Sequence, residues 1–464
     1  MKKNLFFVAV AALALTACSS DNEATQSAPQ LQSGPQAVAF DTYTTETTRA
    51  GDAGIQTNAS LQLSGKGFGV FAQHSDAGTY VATGGPNFMY NEHVTYSASA
   101  WTYSPLKYWP NETALDSQTS DGNATSTGTD RLSFFAYAPY VAPATAADEA
   151  AKGRLDGVTY SADPAIGDAK TTEGGIQAVI ANNGTVDPWV RYSVATTPAN
   201  SVDLLWGVAP AGGLDYQSVN PTDDWTGTPP SGAKIYHIHI DEGMPLVNLV
   251  KPAKDQKIKF LFKHALARIG MSVVAAIDQT TAGGNLNASE TRIYVESVAL
   301  AEVTTTNLYL NGSLNLKNTV AGQSLWTDKG GAFTGLTVSG ASLNDDIEWT
   351  TSASASWGST ATGVTTTAKP VIADNKYFMV IPSHANTTLQ VTITYHVVTK
   401  DDKLAGGYSD VTNTIVKKVT VNSLTNNKAY NLKLVLGLTS VKLDAEVADW
   451  QTDGDTEVYL PQNK

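Results

Sequence analysis

The chain has 464 residues, of which 42% are hydrophobic and 16% are charged, and its formal net charge at pH 7 is −13. Because acidic residues outnumber basic ones and no basic stripe follows the chain, the composition argues against nucleic acid as a partner. A chain of this length is too long for one hydrophobic core, so two or three domains are expected.

The first 17 residues have the build of a cleavable export signal. Met1-Lys2-Lys3 is basic, and the apolar run 5–15 is shorter than the ~20 residues that a membrane-spanning helix needs. The next residues, Leu15-Thr16-Ala17-Cys18, resemble the lipobox of bacterial lipoproteins, in which the cysteine sulfur receives a diacylglycerol. We therefore predict a signal peptide over residues 1–17 and lipidation of Cys18. Cys18 is also the only cysteine, so no disulfide is expected.

A tether and a first strand are predicted over residues 18–49. Residues 19–36 are polar and contain proline, as in a flexible linker. The partial alternation of Val38-Ala39-Phe40-Asp41-Thr42-Tyr43 predicts a strand. The loop Thr47-Thr48-Arg49-Ala50-Gly51-Asp52 then combines small and polar residues, as do loops that proteases cut. Arg49 is the sole arginine before Arg131, and it is either a processing site or an ordinary loop residue.

Beyond residue 50, short apolar runs alternate with turn-rich segments, and no amphipathic helix pattern is present. We therefore predict an all-β protein made of β-sandwiches, with an N-terminal domain over 50–250 and a C-terminal domain over 251–464. Residues 141–200 are rich in Ala, Gly and Asp, and the pattern places no element there. The predicted strands include Phe68–Ala72, Trp101–Tyr103, Leu132–Ala138, Ile258–Phe262, Met271–Ile277, Leu389–Tyr395, Ile415–Val421, Tyr430–Leu438 and Val441–Val447.

The motifs that usually carry catalysis are absent: there is no G-x-S-x-G, no P-loop and no H-E-x-x-H, so we predict that the chain is not an enzyme. His237 and His239 share one face of a strand, but without a third nearby ligand a solvent-facing strand explains them better than a metal site. We expect no metal and no cofactor. The adjacent pairs Asp223-Asp224, Asp345-Asp346 and Asp401-Asp402 fit loop turns or loose Ca²⁺ binding better than acid/base catalysis.

Two further groups of residues each have a structural and a functional interpretation. His264 lies in an apolar segment, which favours a buried, hydrogen-bonded histidine that organises the core. The aromatic residues Trp101, Tyr103, Tyr108 and Trp109 could form a platform for stacking sugars, although such residues more often fill a sandwich core.

Four segments resemble the fimbrillin family, the pilin precursors of type V pili. Phe262-Lys263-His264-Ala265-Leu266-Ala267-Arg268-Ile269 resembles the central F-x-H-A-L-A-x-I signature of these proteins. The other three are Phe68–Phe71, the stretch from Trp101 to Pro110, and Tyr430–Trp450. Their order and spacing, together with the lipobox and the Thr-Arg-Ala junction, extend the resemblance over nearly the whole chain.

The resemblance implies two transthyretin-like Greek-key β-sandwich domains in tandem. It also implies a precursor held in the outer membrane by its lipid, and an Arg-specific protease that removes the N-terminal strand. Cleavage between Arg49 and Ala50 would release the strand that carries Val38, Phe40 and Thr42. The expected partners are other pilin subunits, one of which fills the groove with its own strand at the cell surface, in a fimbrium.

The C-terminal segment offers two candidate donor strands, Val441–Val447 and the shorter tail Glu457–Pro461. Val441, Leu443, Ala445 and Val447 alternate with polar residues, so one face of an extended strand is apolar. The same alternation would also suit the last strand of the chain's own domain. The main alternative to a fimbrial structural subunit or pilus-associated adhesin is a surface lipoprotein that binds glycans and keeps its lipid.

Overall fold

The computed structural model describes residues 36–44, 55–75, 80–81, 86–110, 131–142, 174–181, 187–219, 235–249, 251–252, 256–276, 291–303, 307–318, 326–333, 335–350, 362–372, 376–437 and 441–449. These residues form an all-β fold, as predicted. The one α-helix in the described ranges is the short α1 (Asn58–Leu61). None of the helices in these ranges is long and apolar enough to cross a membrane.

The strands of the first half are, in chain order, β1 (Phe40–Thr44), β2 (Phe68–Ser75), β3 (Met89–Ser97), β4 (Ala100–Thr102), β5 (Arg131–Ala138), β6 (Gly175–Ala181), β7 (Pro188–Ser193), β8 (Leu205–Val208), β9 (Leu214–Val219), β10 (Ile235–Ile240) and β11 (Leu246–Leu249). The sequence pattern placed nothing over 141–200, yet β6, β7 and a 3₁₀ turn at Pro198–Asn200 lie there.

The strands of the second half are β12 (Ile258–His264), β13 (Ala267–Ala275), β14 (Thr291–Glu302), β15 (Tyr309–Asn315), β16 (Trp326–Ala332), β17 (Leu336–Ser339), β18 (Lys369–Pro370), β19 (Phe378–Val380), β20 (Thr387–Lys400), β21 (Tyr408–Val421), β22 (Lys428–Leu436) and β23 (Val441–Asp449). A second 3₁₀ turn is at Gly340–Ser342.

The strands form five sheets within the described ranges. The largest has the order β1-β12-β8-β5-β2-β3-β4, with β11 also paired to β5. The others are β10-β9, β18-β13-β22-β23 with β19 beside β13, β17-β14-β20-β21, and β16-β15-β7-β6. Two of the sheets combine strands from both sides of residue 250, because β12 joins β8 and β15 joins β7. The division into two domains at that residue stays a prediction.

The largest sheet is covered on both faces. Along β5, Phe134 and Ala136 belong to one hydrophobic core, whereas Phe135 and Tyr137 belong to another. All four side chains are buried, as the alternation of a strand that lies between two layers requires. The first of these cores, here called the N-terminal core, includes Val38, Phe40, Phe68, Trp101, Tyr103, Trp109, Phe134, Phe260 and Phe262.

The signature segment lies where the chain crosses from one sheet to the next. It begins in β12 of the largest sheet and ends in β13 of the sheet that contains β22, with only Ala265 and Leu266 between the two strands. Both side chains are fully buried. The Ala265 carbonyl accepts a hydrogen bond of 3.0 Å from the Trp326 indole N–H, and its N–H donates to the Leu204 carbonyl. The apolar character of the segment therefore reflects a crossing through the interior.

Candidate functional site

The predicted removable strand is the edge strand of the largest sheet. It forms β1, which pairs with β12 in parallel, so that Phe40 lies opposite Ile258 and Thr42 lies opposite Phe260. Val38, Phe40 and Thr42 are each at most 3% exposed. Because β1 lies at the edge of the sheet and one of its faces is buried, its removal would leave an open groove beside β12.

The residues before β1 are held on the other side by the loop 103–109. The Val38 N–H donates to the Lys107 carbonyl and the Trp109 N–H donates to the Gln36 carbonyl, both at 2.9 Å. The phenol of Tyr103 donates to the Val38 carbonyl at 2.9 Å. The main chain of 36–44 is therefore bonded first to this loop and then to β12, and it bridges the two.

An aromatic cluster surrounds the ring of Phe40. The rings of Tyr103, Phe134, Phe260 and Phe68 lie at 5.6, 5.8, 6.0 and 6.2 Å between centroids. Phe134 and Phe68 meet Phe40 edge to face, which is a favourable geometry for aromatic pairs. Phe40 is thus the central side chain of a pocket whose walls come from β2, β5, β12 and the loop after β4.

The segment 55–61, which follows the predicted cleavage site, has anchoring contacts of its own. Its capping box joins Thr57 and Ser60 at the start of α1, and the Gln56 N–H donates to Oδ2 of Asp203 at 3.1 Å. One side-chain bond connects it to β1, from Thr42 Oγ1 to Asn58 Oδ1 at 3.0 Å. Residues 45–54, which contain Arg49 and Ala50, join these two segments along the chain. Arg49, Ala50 and Cys18, the predicted lipidation residue, lie outside the described residues.

The anchor of this segment includes the signature histidine. Nδ1 of His264 lies 2.6 Å from Oδ2 of Asp203, and both side chains are buried. Asn427 extends the group, because its side-chain oxygen accepts a hydrogen bond from the main-chain N–H of His264. The prediction of a buried, hydrogen-bonded His264 is confirmed. Asp203 carries no sequence signal of its own, since it pairs with residues far away in the chain.

The candidate donor strand forms β23, which pairs with β22 along its whole length and lies at the edge of its sheet. Leu443 and Ala445 lie opposite Leu434 and Leu432 and pack against the core, whereas Val447 is 39% exposed. The main chain at Val441 pairs with Leu436, and its side chain lies outside the described part. β23 is therefore the last strand of its own sheet in this state, in a sheet different from that of β1.

The other sequence candidates do not form a site. Trp101, Tyr103 and Trp109 are buried in the N-terminal core, so the stacking platform is wrong for these three, and Tyr108 alone is exposed. His239 pairs with Asp241 at the surface. Within the described ranges, no group of three His, Cys, Asp or Glu side chains is arranged to hold a metal ion.

Two of the three aspartate pairs have structural roles. Asp346 forms an ion pair with Lys369 at 3.1 Å, and the Asp401 side chain accepts from the Lys403 N–H in the turn after β20. Asp223 and Asp224 lie outside the described residues.

Comparison with known proteins identifies fimbrial proteins. The curated fimbrium subunit Fim1C of Phocaeicola vulgatus is 36% identical over 141 residues, which are 30% of this chain and 31% of that protein. The chain therefore matches only about a third of this relative's length. The crystal structure of a fimbrial protein from Bacteroides vulgatus superposes with a TM-score of 0.56 at 19% identity, covering 89% of this chain and 99% of that one.

No protein-family model matches the chain. The solved structure establishes the similarity of fold. The resemblance to fimbrial subunits that the four motifs indicated is confirmed by the curated relative.

Proposed function

We propose that this chain is a structural subunit of cell-surface fimbriae, exported as a lipoprotein precursor and activated by proteolysis. In this proposal Cys18 attaches the precursor to the outer membrane through its lipid. An Arg-specific protease then cuts between Arg49 and Ala50, β1 leaves, and a strand of another subunit takes its place. The role is assembly and display, and the fimbrial relative supports it.

The observation that carries the proposal is the insertion of Phe40 among four aromatic rings from other parts of the domain. Burial of Val38 and Phe40 contributes roughly 3–6 kcal/mol, at ~1.5–3 kcal/mol per side chain. Loss of β1 would expose these rings together with the hydrogen-bonding edge of β12. A donor strand with alternating apolar residues would restore both kinds of contact.

The anchored segment after the cleavage site supports a clean release. Because Gln56 and α1 are bonded to the body of the domain, a cut upstream would leave them in place. Only β1 and the tether would then be free to depart. This departure must break the hydrogen bond between Thr42 and Asn58 and the one from the Tyr103 phenol to the Val38 carbonyl.

The edge strand β23 is the proposed donor. Its apolar face carries Leu443, Ala445 and Val447 at alternate positions. To leave its sheet, β23 would break the ladder with β22 and would withdraw Leu443 and Ala445 from the core. In this role, Val447 would pass from an exposed position to a buried one. If β23 instead remains the closing strand of its own sheet, Val447 would stay exposed.

The test is proteolytic activation of the purified full chain carrying Cys18→Ser. An Arg-specific protease should yield a main chain that begins at Ala50, a released N-terminal fragment, and ladders that survive mild denaturant. The Arg49→Ala variant is the matched control and should remain an intact monomer. A cleaved chain that keeps β1 bound and stays monomeric would contradict strand exchange. Labelled palmitate should enter the wild-type protein in cells and not the Cys18→Ser variant.

A further inference from the structure

The longest hairpin in the described structure ends in an edge strand that has no proline, glycine or bulge, although it carries the charged residues Lys417 and Lys418. β21 runs for 14 residues and is the last strand of its sheet, with β20 as its ladder partner in the described structure. Its register with β20 is unbroken from Thr387–Val421 to Lys400–Tyr408, without a bulge. It contains no proline or glycine. Edge strands are normally blunted by such features because a regular edge pairs readily with another strand.

The hydrogen-bonding direction of β21 follows from the turn that precedes it. The Asp401 N–H donates to the Gly407 carbonyl at 2.9 Å, so these residues form a hydrogen-bonded pair. Pairs alternate in an antiparallel ladder, which assigns the odd-numbered residues of β21 to the bonds with β20. The close approach of Thr394 Oγ1 to Thr414 Oγ1, at 3.1 Å, agrees with a non-hydrogen-bonded pair at Thr414.

The even-numbered residues therefore direct their N–H and C=O groups away from β20. Six of them also have exposed side chains, namely Asp410, Thr412, Thr414, Val416, Lys418 and Thr420. Val416 is 49% exposed, which is high for a valine within a strand. On the side away from β20, this edge directs main-chain donors and acceptors outward beside an accessible side-chain face, and β23 of the neighbouring sheet comes close to β21.

We propose that β21 pairs antiparallel with β21 of a second copy of this chain about a two-fold axis at Thr414. A two-fold contact uses the same patch on both subunits, so the strand must be complementary to itself. With the axis at Thr414, Lys418 lies opposite Asp410 of the second copy, and Val416 lies opposite Thr412. Because of the two-fold axis, the contact contains two such Lys–Asp pairs, and cross-strand pairs of opposite charge stabilise a sheet.

The charges distinguish this register from its neighbours. An axis at Asn413 would place Lys418 opposite Tyr408, and an axis at Ile415 would place it opposite Thr412. Of these three axes, only the one at Thr414 places Lys418 opposite Asp410, whose carboxylate also lies 2.8 Å from Nδ1 of His396 in the same chain. This axis keeps nearly the full strand in register. The sheet of β14, β20 and β21 would then continue across the two copies. This contact is independent of strand exchange, and between fimbriae it would join subunits side by side.

The test begins with a cysteine trap in the uncleaved full chain carrying Cys18→Ser and Arg49→Ala, so that strand exchange plays no part. Thr414→Cys should give a disulfide-linked dimer, because residues opposite each other in a hydrogen-bonded pair have Cα atoms ~5.5 Å apart, within disulfide range. Thr412→Cys and Val416→Cys should each give little dimer alone and a cross-linked dimer when mixed. A trap in which single Thr412→Cys links as well as Thr414→Cys would overturn the register.

Analytical ultracentrifugation tests the interface without cross-linking. The uncleaved chain should show a concentration-dependent monomer–dimer equilibrium, and Lys418→Glu should raise the dimer Kd roughly tenfold or more. Lys400→Glu, an exposed lysine at the far end of the same hairpin, is the matched control and should leave the Kd unchanged.

A backbone variant separates edge pairing from a side-chain effect. Thr414→Pro removes an N–H that does not bond β20, so it should abolish the dimer while the circular dichroism spectrum stays native. A chain that remains monomeric at all concentrations, or a Thr414→Pro variant that dimerises normally, would overturn the proposal.

Discussion

The ring of Phe40 stacks on the ring of Phe260, with centroids 6.0 Å apart and an angle of 24° between the planes. The two residues lie on neighbouring parallel strands, β1 and β12. Phe260 also contacts Phe68 and Phe262, which do not belong to the removable segment. If β1 leaves as proposed, the face of the Phe260 ring that Phe40 covers is exposed, while the contacts with Phe68 and Phe262 remain. A replacement strand must therefore bring a side chain that covers this face of the Phe260 ring.

The first prediction concerns Phe40 itself. Phe40→Ala should lower the free energy of unfolding of the uncleaved chain by about 3–5 kcal/mol, because it leaves a cavity among four rings. Denaturant titration measures this change. Tyr108→Ala, which truncates an exposed aromatic side chain, should have an effect near zero. After cleavage and release of β1, Phe40→Ala and the unsubstituted chain should have the same stability. A difference that persists would mean that β1 stays bound.

The second prediction is a pH dependence centred on Tyr103. Burial raises the pKa of Tyr103 to about 12. Because the folded-state pKa is raised above that of the unfolded chain, ~10, its contribution to stability is complete below pH 10 and is lost as the pH rises through 12. Ionisation also removes the proton that Tyr103 donates to the Val38 carbonyl.

The measurement compares two variants over the alkaline range. Tyr103→Phe should cost about 1 kcal/mol at pH 7 and should lose less stability than the parent chain between pH 10 and 12. Tyr108→Phe is the control and should follow the parent curve. Since burial also raises the pKa of Tyr137 and of Tyr192, the informative quantity is the difference between the curves. Parallel curves for Tyr103→Phe and the parent would disprove the assignment.

The third prediction compares two histidine–aspartate pairs. Asp203→Ala should destabilise the chain by about 3–5 kcal/mol, because it removes one partner of a buried pair that also anchors Gln56. Asp241→Ala breaks the exposed pair with His239 and should cost less than about 1 kcal/mol. Thermal and denaturant unfolding provide both values. Equal effects would show that the buried pair contributes no more than a surface pair.

The fourth prediction tests whether β23 is donated. Val447→Ser should change the stability of the monomer little, since this valine is 39% exposed, but it should weaken protease-triggered assembly if Val447 becomes buried in another subunit. Val303→Ser removes an equally exposed valine and is the matched control. The readout is the yield of denaturant-resistant ladders after cleavage. Normal ladders from Val447→Ser would favour β23 as the closing strand of its own sheet.

Much of the fold was predictable from local pattern. The runs Phe68–Ala72 and Leu132–Ala138 lie in β2 and β5, and the strict alternation of Val441–Val447 lies in β23. These predictions succeed because the period of two in a strand is imposed by backbone geometry and is visible in any half-buried segment. The two strands within 141–200 were not predicted from the sequence. All six residues of β7 are buried, so this strand shows no alternation, and the residues around β6 and β7 are rich in Ala, Gly and Asp.

The sequence by itself determined most of the strands, their apolar faces and the order of the fimbrillin-like motifs, because each of these depends only on residues that are neighbours in the chain. The tertiary structure decided that β1 pairs in parallel with β12, that Phe40 enters an aromatic pocket, and that Asp203 meets His264 and Gln56. Main-chain hydrogen bonds are the same for every residue type, so a strand's pattern shows which face is buried without showing which strand lies beside it. Only the folded chain supplies that partner.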